Sequence, residues 1–428
     1  MKKIAVSLIL IFSSLLSYSS HFMGGEITWQ CIKGGPDVGK YIFQMKVYRD
    51  CNGITFSQTS QTLTHHNYPS LGTTTPILLN FISTTDISPT GSIASGNTCV
   101  DCASGQLGGV EEYVWRSDPM ILGGTPPAEG WHFTWGSCCR SSNITNGMND
   151  ESWTLRAVMY PYTDPATGNA LPADPCYDSS PRFEEQAKTI ICTGYEFSYS
   201  HNAFDDELDE IVYSWGEPLG DAFAYDPANP NATALAFDPP YTVNSPIPGA
   251  PTLESSTGEI TYNSNTAGVF VTCIKVEAFK CGQLVAEIYR EVQVLLIDCG
   301  LYTQPQDGFN DPPTITEAFT DPATGLPTYE TTVYAGQLVQ FNIEAEDLDT
   351  YAGGQLQQIT LDADGGQFAS DYVTVNNCAN PPCATFNNGA GVTPPFSAPG
   401  IVSGVFEWQT DCSHMTADVG CNTTSNIF

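Results

Sequence analysis

The stretch that decides the fold runs from His21 to Gly53, with the sequence HFMGGEITWQCIKGGPDVGKYIFQMKVYRDCNG. Apolar residues alternate with mostly polar ones on both sides of its centre: Ile27, Trp29 and Cys31 in the first half, and Tyr41, Phe43, Met45 and Val47 in the second. Alternation with a period of two predicts two half-buried antiparallel strands. The segment 33–40 between them holds three glycines and a proline, which predicts the hairpin connection.

The first 19 residues have the pattern of a secretory signal peptide. Lys2 and Lys3 precede an apolar run from Ile4 to Leu16, and small residues stand before a predicted cut after Ser19. The run is too short for a spanning helix, and no later stretch approaches the roughly 18 to 20 apolar residues that a membrane crossing needs. We therefore expect an exported chain, at a cell surface or outside the cell, without direct membrane insertion.

The composition predicts an all-β protein of tandem, disulfide-stabilised β-sandwich domains. The 428 residues include 38 glycines, 30 prolines and 15 cysteines, and no long stretch shows helical periodicity. The predicted division is a signal peptide at 1–19, an N-terminal sandwich at 20–181, an immunoglobulin-like or cadherin-like sandwich at 182–300, a linker at 301–313, and a third immunoglobulin-like sandwich at 314–428 that is incomplete at its C-terminal end.

The net charge of −33 limits the partners. Removal of Lys2 and Lys3 with the signal peptide makes the chain still more negative. Such a surface repels nucleic acid and anionic membranes, which excludes both as direct partners. Cations, basic proteins and neutral glycans are compatible with this charge, so the expected ligand is an unidentified surface glycan or protein.

Cysteines near the ends of predicted domains and loops suggest three disulfides. Cys192 opens the second domain and Cys299 closes it, and the first and last strands of such sandwiches commonly lie close together. In the third domain, Cys378 and Cys383 flank a short proline-containing loop, and Cys412 could pair with Cys421.

The remaining cysteines of the first domain leave two interpretations open. Cys99 and Cys102 have the spacing of a zinc or redox site, which Cys138 and Cys139 could complete. In an oxidising compartment, disulfides between the Cys99 loop and the Cys138–Cys139 pair are favoured.

An aromatic stripe in the first domain also has two interpretations. Trp131, Phe133 and Trp135 fall on one face of a predicted strand. A sandwich core is the favoured interpretation, and a platform that stacks on glycans is the alternative.

Several spaced motifs give the chain a family resemblance. HFMGGEITW followed by YRDCNG, then WHFTWGSCCRSSNITN, and later GGQF, PPCATF and VFEWQTDCSH, resemble the N-terminal regions of large secreted surface proteins of Bacteroidota-type bacteria. Those proteins are of the gliding-motility-associated, type IX secretion kind. The resemblance implies an exported, multi-domain, all-β surface protein, of which this chain would be a fragment. It implies no particular ligand.

The acidic run AFDDELDEIVY, from Ala203 to Tyr213, resembles a motif of cadherin-like adhesion domains in which Asp205, Glu207 and Asp209 match the acidic positions. Calcium takes six to eight oxygen ligands, and alternating carboxylates on a bend can supply several, so these three residues are the candidate calcium ligands. The alternative is a solvated acidic loop. Leu208 stands where the motif has glycine, which disfavours a left-handed turn at that position.

No catalytic motif stands out, since the sequence lacks G-x-S-x-G, HExxH and a P-loop. We therefore expect a non-enzymatic adhesion and spacer region of a larger protein, linked to gliding or surface attachment. One alternative is a structural component that self-associates through unpaired edge strands into filaments or a surface layer. The other is an accessory region of a secreted carbohydrate-active enzyme or peptidase.

Overall fold

The computed structural model describes residues 22–53, 55–56, 59–69, 75–88, 102, 108–187, 190–194, 196–297, 313–329, 331–350, 354–378 and 380–414. The structure is all-β, with no α-helix among these residues. In the same part of the chain, no helix is long and apolar enough to cross a membrane. The described residues also include short 3-10 helices at Ala222–Ala224 and Cys412–His414.

Among the described residues, sixteen strands build the first unit. They are β1 (Phe22–Cys31), β2 (Tyr41–Asp50), β3 (Gln61–His66), β4 (Ile77–Asp86), β5 (Val110–Arg116), β6 (Trp131–Ser137), β7 (Trp153–Met159), β8 (Arg182–Phe183), β9 (Ile190–Cys192), β10 (Glu196–Ser200), β11 (Ala203–Phe204), β12 (Glu210–Trp215), β13 (Thr252–Leu253), β14 (Glu259–Asn263), β15 (Gly268–Lys280) and β16 (Gln283–Ile297).

The hairpin predicted from the alternation in residues 21–53 is present, and a second hairpin lies near the end of the first unit. β1 pairs antiparallel with β2, and β15 pairs antiparallel with β16 over their whole length. Alternation is visible in β2, whose side chains are alternately buried and half-buried along most of the strand. β1 differs from the prediction because nearly all of its residues are buried, on both faces. Its outer face is covered by other segments of the chain, including the one at 178–180.

The large sheet folds over on itself. Its pairing runs β1-β2-β5-β4-β3-β6-β7-β16 and returns from β16 to β1. β3 makes one corner, because its first half pairs with β4 and its second half with β6. β16 makes the other corner, since one of its edges takes β7, then β1, then the parallel strand β9 in succession.

Aromatic side chains fill the space between the two layers. Phe22 of β1 packs on Trp135 and Trp153, and Phe133 lies 4.5 Å from Phe43, centroid to centroid. Trp131, Phe133 and Trp135 are 1%, 0% and 7% exposed, so the aromatic stripe belongs to the core and offers no surface for stacking a glycan.

The predicted boundary between 181 and 182 is wrong. β12, β15 and β16 belong to the same sheet as β1–β7, and one hydrophobic core contains residues from Phe22 to Leu296. The hairpin β15–β16 has long, apolar strands, which a closing hairpin of a separate sandwich would also have. In the structure β16 instead supplies the edge on which the N-terminal sheet closes.

In the described part of 313–414, eight further strands form a second unit with its own core. They are β17 (Thr314–Ile315), β18 (Phe319–Thr320), β19 (Pro327–Thr328), β20 (Leu338–Glu346), β21 (Gln358–Leu361), β22 (Thr385–Asn387), β23 (Phe396–Pro399) and β24 (Ile401–Gln409). Its main sheet has the order β17-β20-β24-β22. The immunoglobulin-like or cadherin-like type of either unit stays a prediction.

The disulfides agree with the predictions only in part. The Cys378–Cys383 bridge is present. Cys412 has a free, exposed thiol where a bridge to Cys421 was expected, and Cys421 lies outside the described residues. The predicted Cys192–Cys299 bridge cannot be placed, because Cys299 and the side chain of Cys192 also lie outside them.

The described residues of the first unit also contain disulfides that were not predicted. Cys31 is joined to Cys176, Cys51 to Cys102, and Cys138 to its neighbour Cys139. The expected links between the Cys99 loop and the Cys138–Cys139 pair are therefore wrong for Cys102, Cys138 and Cys139. Sequence spacing favoured them, whereas the sheet register brings the end of β2 beside Cys102.

Candidate functional site: a polar cleft beside a buried aspartate cluster

The outer face of β1, β2 and β5 forms a polar floor. In the strand register, Thr28 lies opposite Gln44, and Gln44 lies opposite Arg116. Side chains alternate across a strand, so these residues face away from the core that Trp29 and Phe43 fill. Arg116 donates two hydrogen bonds to the side-chain oxygen of Gln44, at 2.6 and 3.2 Å, which holds both groups in a fixed orientation.

A loop from Asp205 to Asp209 forms one wall of the cleft. Oδ1 of Asp205 accepts hydrogen bonds from the backbone N–H groups of Glu207 and Asp209, both at 3.0 Å, and these bonds close the loop. Leu208 lies between them with φ of +60°.

The expectation that Leu208 disfavours a left-handed turn is therefore wrong. A left-handed non-glycine residue costs about 1–2 kcal/mol. The Leu208 side chain is only 4% exposed, and burying a leucine contributes about 1.5–3 kcal/mol, which offsets the strain.

The other polar side chains of the wall are held by specific partners. Glu207 accepts hydrogen bonds from the backbone N–H and the hydroxyl of Ser179, at 3.0 and 3.1 Å, and pairs with Lys33 at 3.1 Å. Asp206 pairs with Arg182. The second unit closes the cleft here, because Asn380 donates a hydrogen bond of 3.2 Å to the backbone oxygen of Asp206.

Together these groups enclose a cleft of about 1200 Å³. Its lining includes Lys33, Arg116, Arg182 and Lys280, although the whole chain has only 14 lysines and arginines. Positively charged side chains are thus concentrated around the cleft of a strongly acidic protein, beside amide, hydroxyl and carboxylate groups. Sequence reasoning missed Gln44, Arg116 and Arg182; the scarcity of basic residues was the only signal that could have singled out the arginines.

The three predicted calcium ligands do not converge. Asp205 and Asp209 are 2% and 3% exposed and lie in the interior, where Asp209 pairs with Lys280 at 2.6 Å. Glu207 faces Ser179 and Lys33 instead. Calcium binding by this trio stays a prediction, which titration calorimetry with calcium tests, using Asp205→Asn as the control.

Another group of potential metal ligands is not a thiolate site. Among the described residues, ligand atoms of three such side chains lie within 4.8 Å of one another only at Cys51, Asp86 and Cys102. The two sulfurs are joined in a disulfide, so neither offers a thiolate. Asp86 already accepts hydrogen bonds from the backbone N–H groups of Ser88 and Cys102. This carboxylate links the end of β4 to the backbone of Ser88 and Cys102.

Comparisons with family models, with curated proteins and with solved structures found no match to this chain. We therefore infer function from the chemistry of the cleft and its surroundings.

Proposed function

We propose that this chain is a non-catalytic binding and spacer region of a secreted or cell-surface protein, and that the polar cleft binds its ligand. The main support for this proposal is the size and the lining of the cleft. Its volume of about 1200 Å³ exceeds the roughly 300–1,000 Å³ of common small-molecule sites, which suits an oligomeric ligand. The disulfides support an oxidising, extracellular location.

The lining groups favour a polar ligand. Gln44 and Arg116 present amide and guanidinium donors, whereas Trp29 is 2% exposed and offers no stacking surface. Hydrogen-bonding groups with few exposed rings suit hydroxyl-rich glycan chains or a polar peptide segment better than an apolar molecule. The adhesion role, with attachment or gliding as its setting, belongs to this proposal.

A glycan array, followed by titration of any hit, tests the cleft. We expect Arg116→Ala and Gln44→Ala to weaken binding by about tenfold or more, since a lost hydrogen bond to a charged group is worth about 1.5–3 kcal/mol. Gln340→Ala, which alters an exposed glutamine of β20 outside the cleft, is the matched control. Binding that survives both cleft substitutions, or that Gln340→Ala weakens equally, would place the ligand elsewhere.

A further inference from the structure

Lys280 is a residue of the cleft lining whose side chain is buried beside two aspartates. It is the last residue of β15 and is only 4% exposed. Its Nζ lies 2.6 Å from Oδ2 of Asp209 and 3.3 Å from Oδ1 of Asp178. Asp178 and Asp209 are 1% and 3% exposed. A strand end, the acidic loop and the segment after Cys176 thus bring an amine and two carboxyl groups together away from water.

The segment that carries Asp178 is fixed along β1. Ser180 exchanges hydrogen bonds with the backbone of Trp29, and the hydroxyl of Ser179 accepts one from the backbone N–H of Cys31 at 3.0 Å. These bonds hold Asp178 against Lys280, so the contact does not depend on a mobile loop.

The carboxyl groups lack other partners. Within the described residues, no group other than Lys280 pairs with or donates a hydrogen bond to the side-chain oxygens of Asp178 or Asp209, and Oδ2 of Asp205 also has none. Burial raises the pKa of Asp178 well above its usual value; Lys280 opposes this rise and Asp209 adds to it. The pKa of Asp205 is raised well above its usual value in the same way, by burial first and then by Asp209. Burial thus favours the neutral acid form of Asp178, whereas Asp209 lies closer to the nitrogen of Lys280, at 2.6 Å against 3.3 Å.

We propose that Lys280 and Asp178 join in an intramolecular amide bond, with Asp209 as the group that accepts the proton. The carboxylate of Asp209 takes one proton from the ammonium group of Lys280. The freed amine attacks Cγ of Asp178, the new C–N bond forms, and the C–O bond to the hydroxyl group breaks. A second amine proton leaves with that hydroxyl as water.

The reaction balances without a co-reactant. An ammonium, a carboxylate and a carboxylic acid become an amide, a carboxylic acid and one water molecule. A buried ion pair is replaced by neutral groups, and the desolvation cost of the pair is removed. Because the fold holds the amine and the carboxyl group in place, the reaction needs no bimolecular encounter. Nζ of Lys280 lies 3.3 Å from Oδ1 of Asp178, the group that it attacks.

Mass spectrometry of the reduced and alkylated full chain tests the proposal, with the N-terminus taken from the same peptide map. We expect a mass lower than the sequence requires by one water molecule, and a branched peptide that joins Lys280 to Asp178. Lys280→Arg keeps the positive charge but should have the full mass. Asp209→Asn should slow the reaction, so that a share of the chains keeps the full mass.

The mass and the peptide map of the wild-type chain test the proposed amide bond even if a variant fails to fold. A full-length mass with no branched peptide overturns the proposal. A water loss that persists in Lys280→Arg also overturns it, because the loss then occurs at another residue. A branch between Lys280 and Asp209 would contradict the roles given to the two aspartates.

Discussion

At the residue scale, a buried ion pair joins the two ends of the first unit. Glu26 and Arg290 are 2% and 1% exposed, and Nε of Arg290 lies 2.5 Å from Oε2 of Glu26. The hydroxyl of Tyr48 donates a further hydrogen bond of 2.9 Å to the same oxygen. Removing one partner leaves the other charge buried and uncompensated. We expect Glu26→Gln to lower the free energy of unfolding by about 3–5 kcal/mol, measured by urea denaturation at pH 7.

The same pair makes stability depend on pH. Burial alone would raise the pKa of Glu26, but Arg290 and Lys46 outweigh it and lower the pKa below its usual value. The unfolded chain therefore binds a proton more readily, and the stabilisation is present above the unfolded pKa of about 4.3. It is lost as the pH falls through the folded pKa. The difference between wild type and Glu26→Gln should shrink from pH 7 to pH 3; a difference that stays constant would contradict this account.

The sequence revealed only part of this residue-level chemistry. The acidic run drew attention to Asp205 and Asp209 because carboxylates recur there at short spacing. It gave no sign of Asp178 or Lys280, which are distant in the chain and meet only through the closure of the sheet. The prediction for Leu208 was wrong because the backbone preference of one residue type takes no account of side-chain burial, which here compensates for the backbone strain.

At the element scale, a glycine allows β1 to approach β16. Gly24 pairs with Val292 and has φ of +147°, and a Cβ at this position would clash with the backbone oxygen of Glu291. We expect Gly24→Ala to destabilise the first unit by about 3 kcal/mol, in the upper range for single substitutions. Urea midpoints measure the effect. Gly34→Ala is the control, because a Cβ there meets nothing within 4 Å; equal effects of the two substitutions would contradict the clash.

The positions of the hairpin strands could be predicted from the sequence, whereas the pairing of strands that are distant in the chain could not. The hairpin β1–β2 is local, so alternation and turn residues were enough to predict it. The pairing of β1 with β16 joins residues at opposite ends of the first unit, and no local pattern encodes it. The domain boundary at 181 failed for this reason.

At the scale of the whole molecule, one disulfide spans much of the first unit. Cys31 and Cys176 are separated by 145 positions in the sequence. In the chain-entropy model, closing a loop of that size stabilises the fold by about 5 kcal/mol, against about 2 kcal/mol for the short loop at Cys378–Cys383. We expect the double substitution Cys31→Ala with Cys176→Ala to lower the free energy of unfolding of the first unit far more than the same change at Cys378 and Cys383 lowers that of the second. Denaturation of both variants under oxidising conditions measures this.

The two units should unfold independently. Their hydrophobic cores are separate among the described residues. The contacts between the two units include the Asn380–Asp206 hydrogen bond and the approach of Gly366 to the ring of Phe204. A net hydrogen bond is worth about 1 kcal/mol, which shifts the midpoint of a unit this large by about 2–4 °C. A chain that ends at Ile297 should therefore melt within about 4 °C of the first unit in the full chain.

Tryptophan fluorescence can follow the first unit alone. Six of the seven tryptophans lie in it, and the seventh, Trp408, lies in β24. Trp408→Phe in the full chain removes the remaining signal and supplies the reference curve. A much larger fall in the midpoint of the shortened chain would mean that the second unit supports the first through the cleft. The cleft would then be a structural interface, and ligand binding in it would have to compete with the contact between the units.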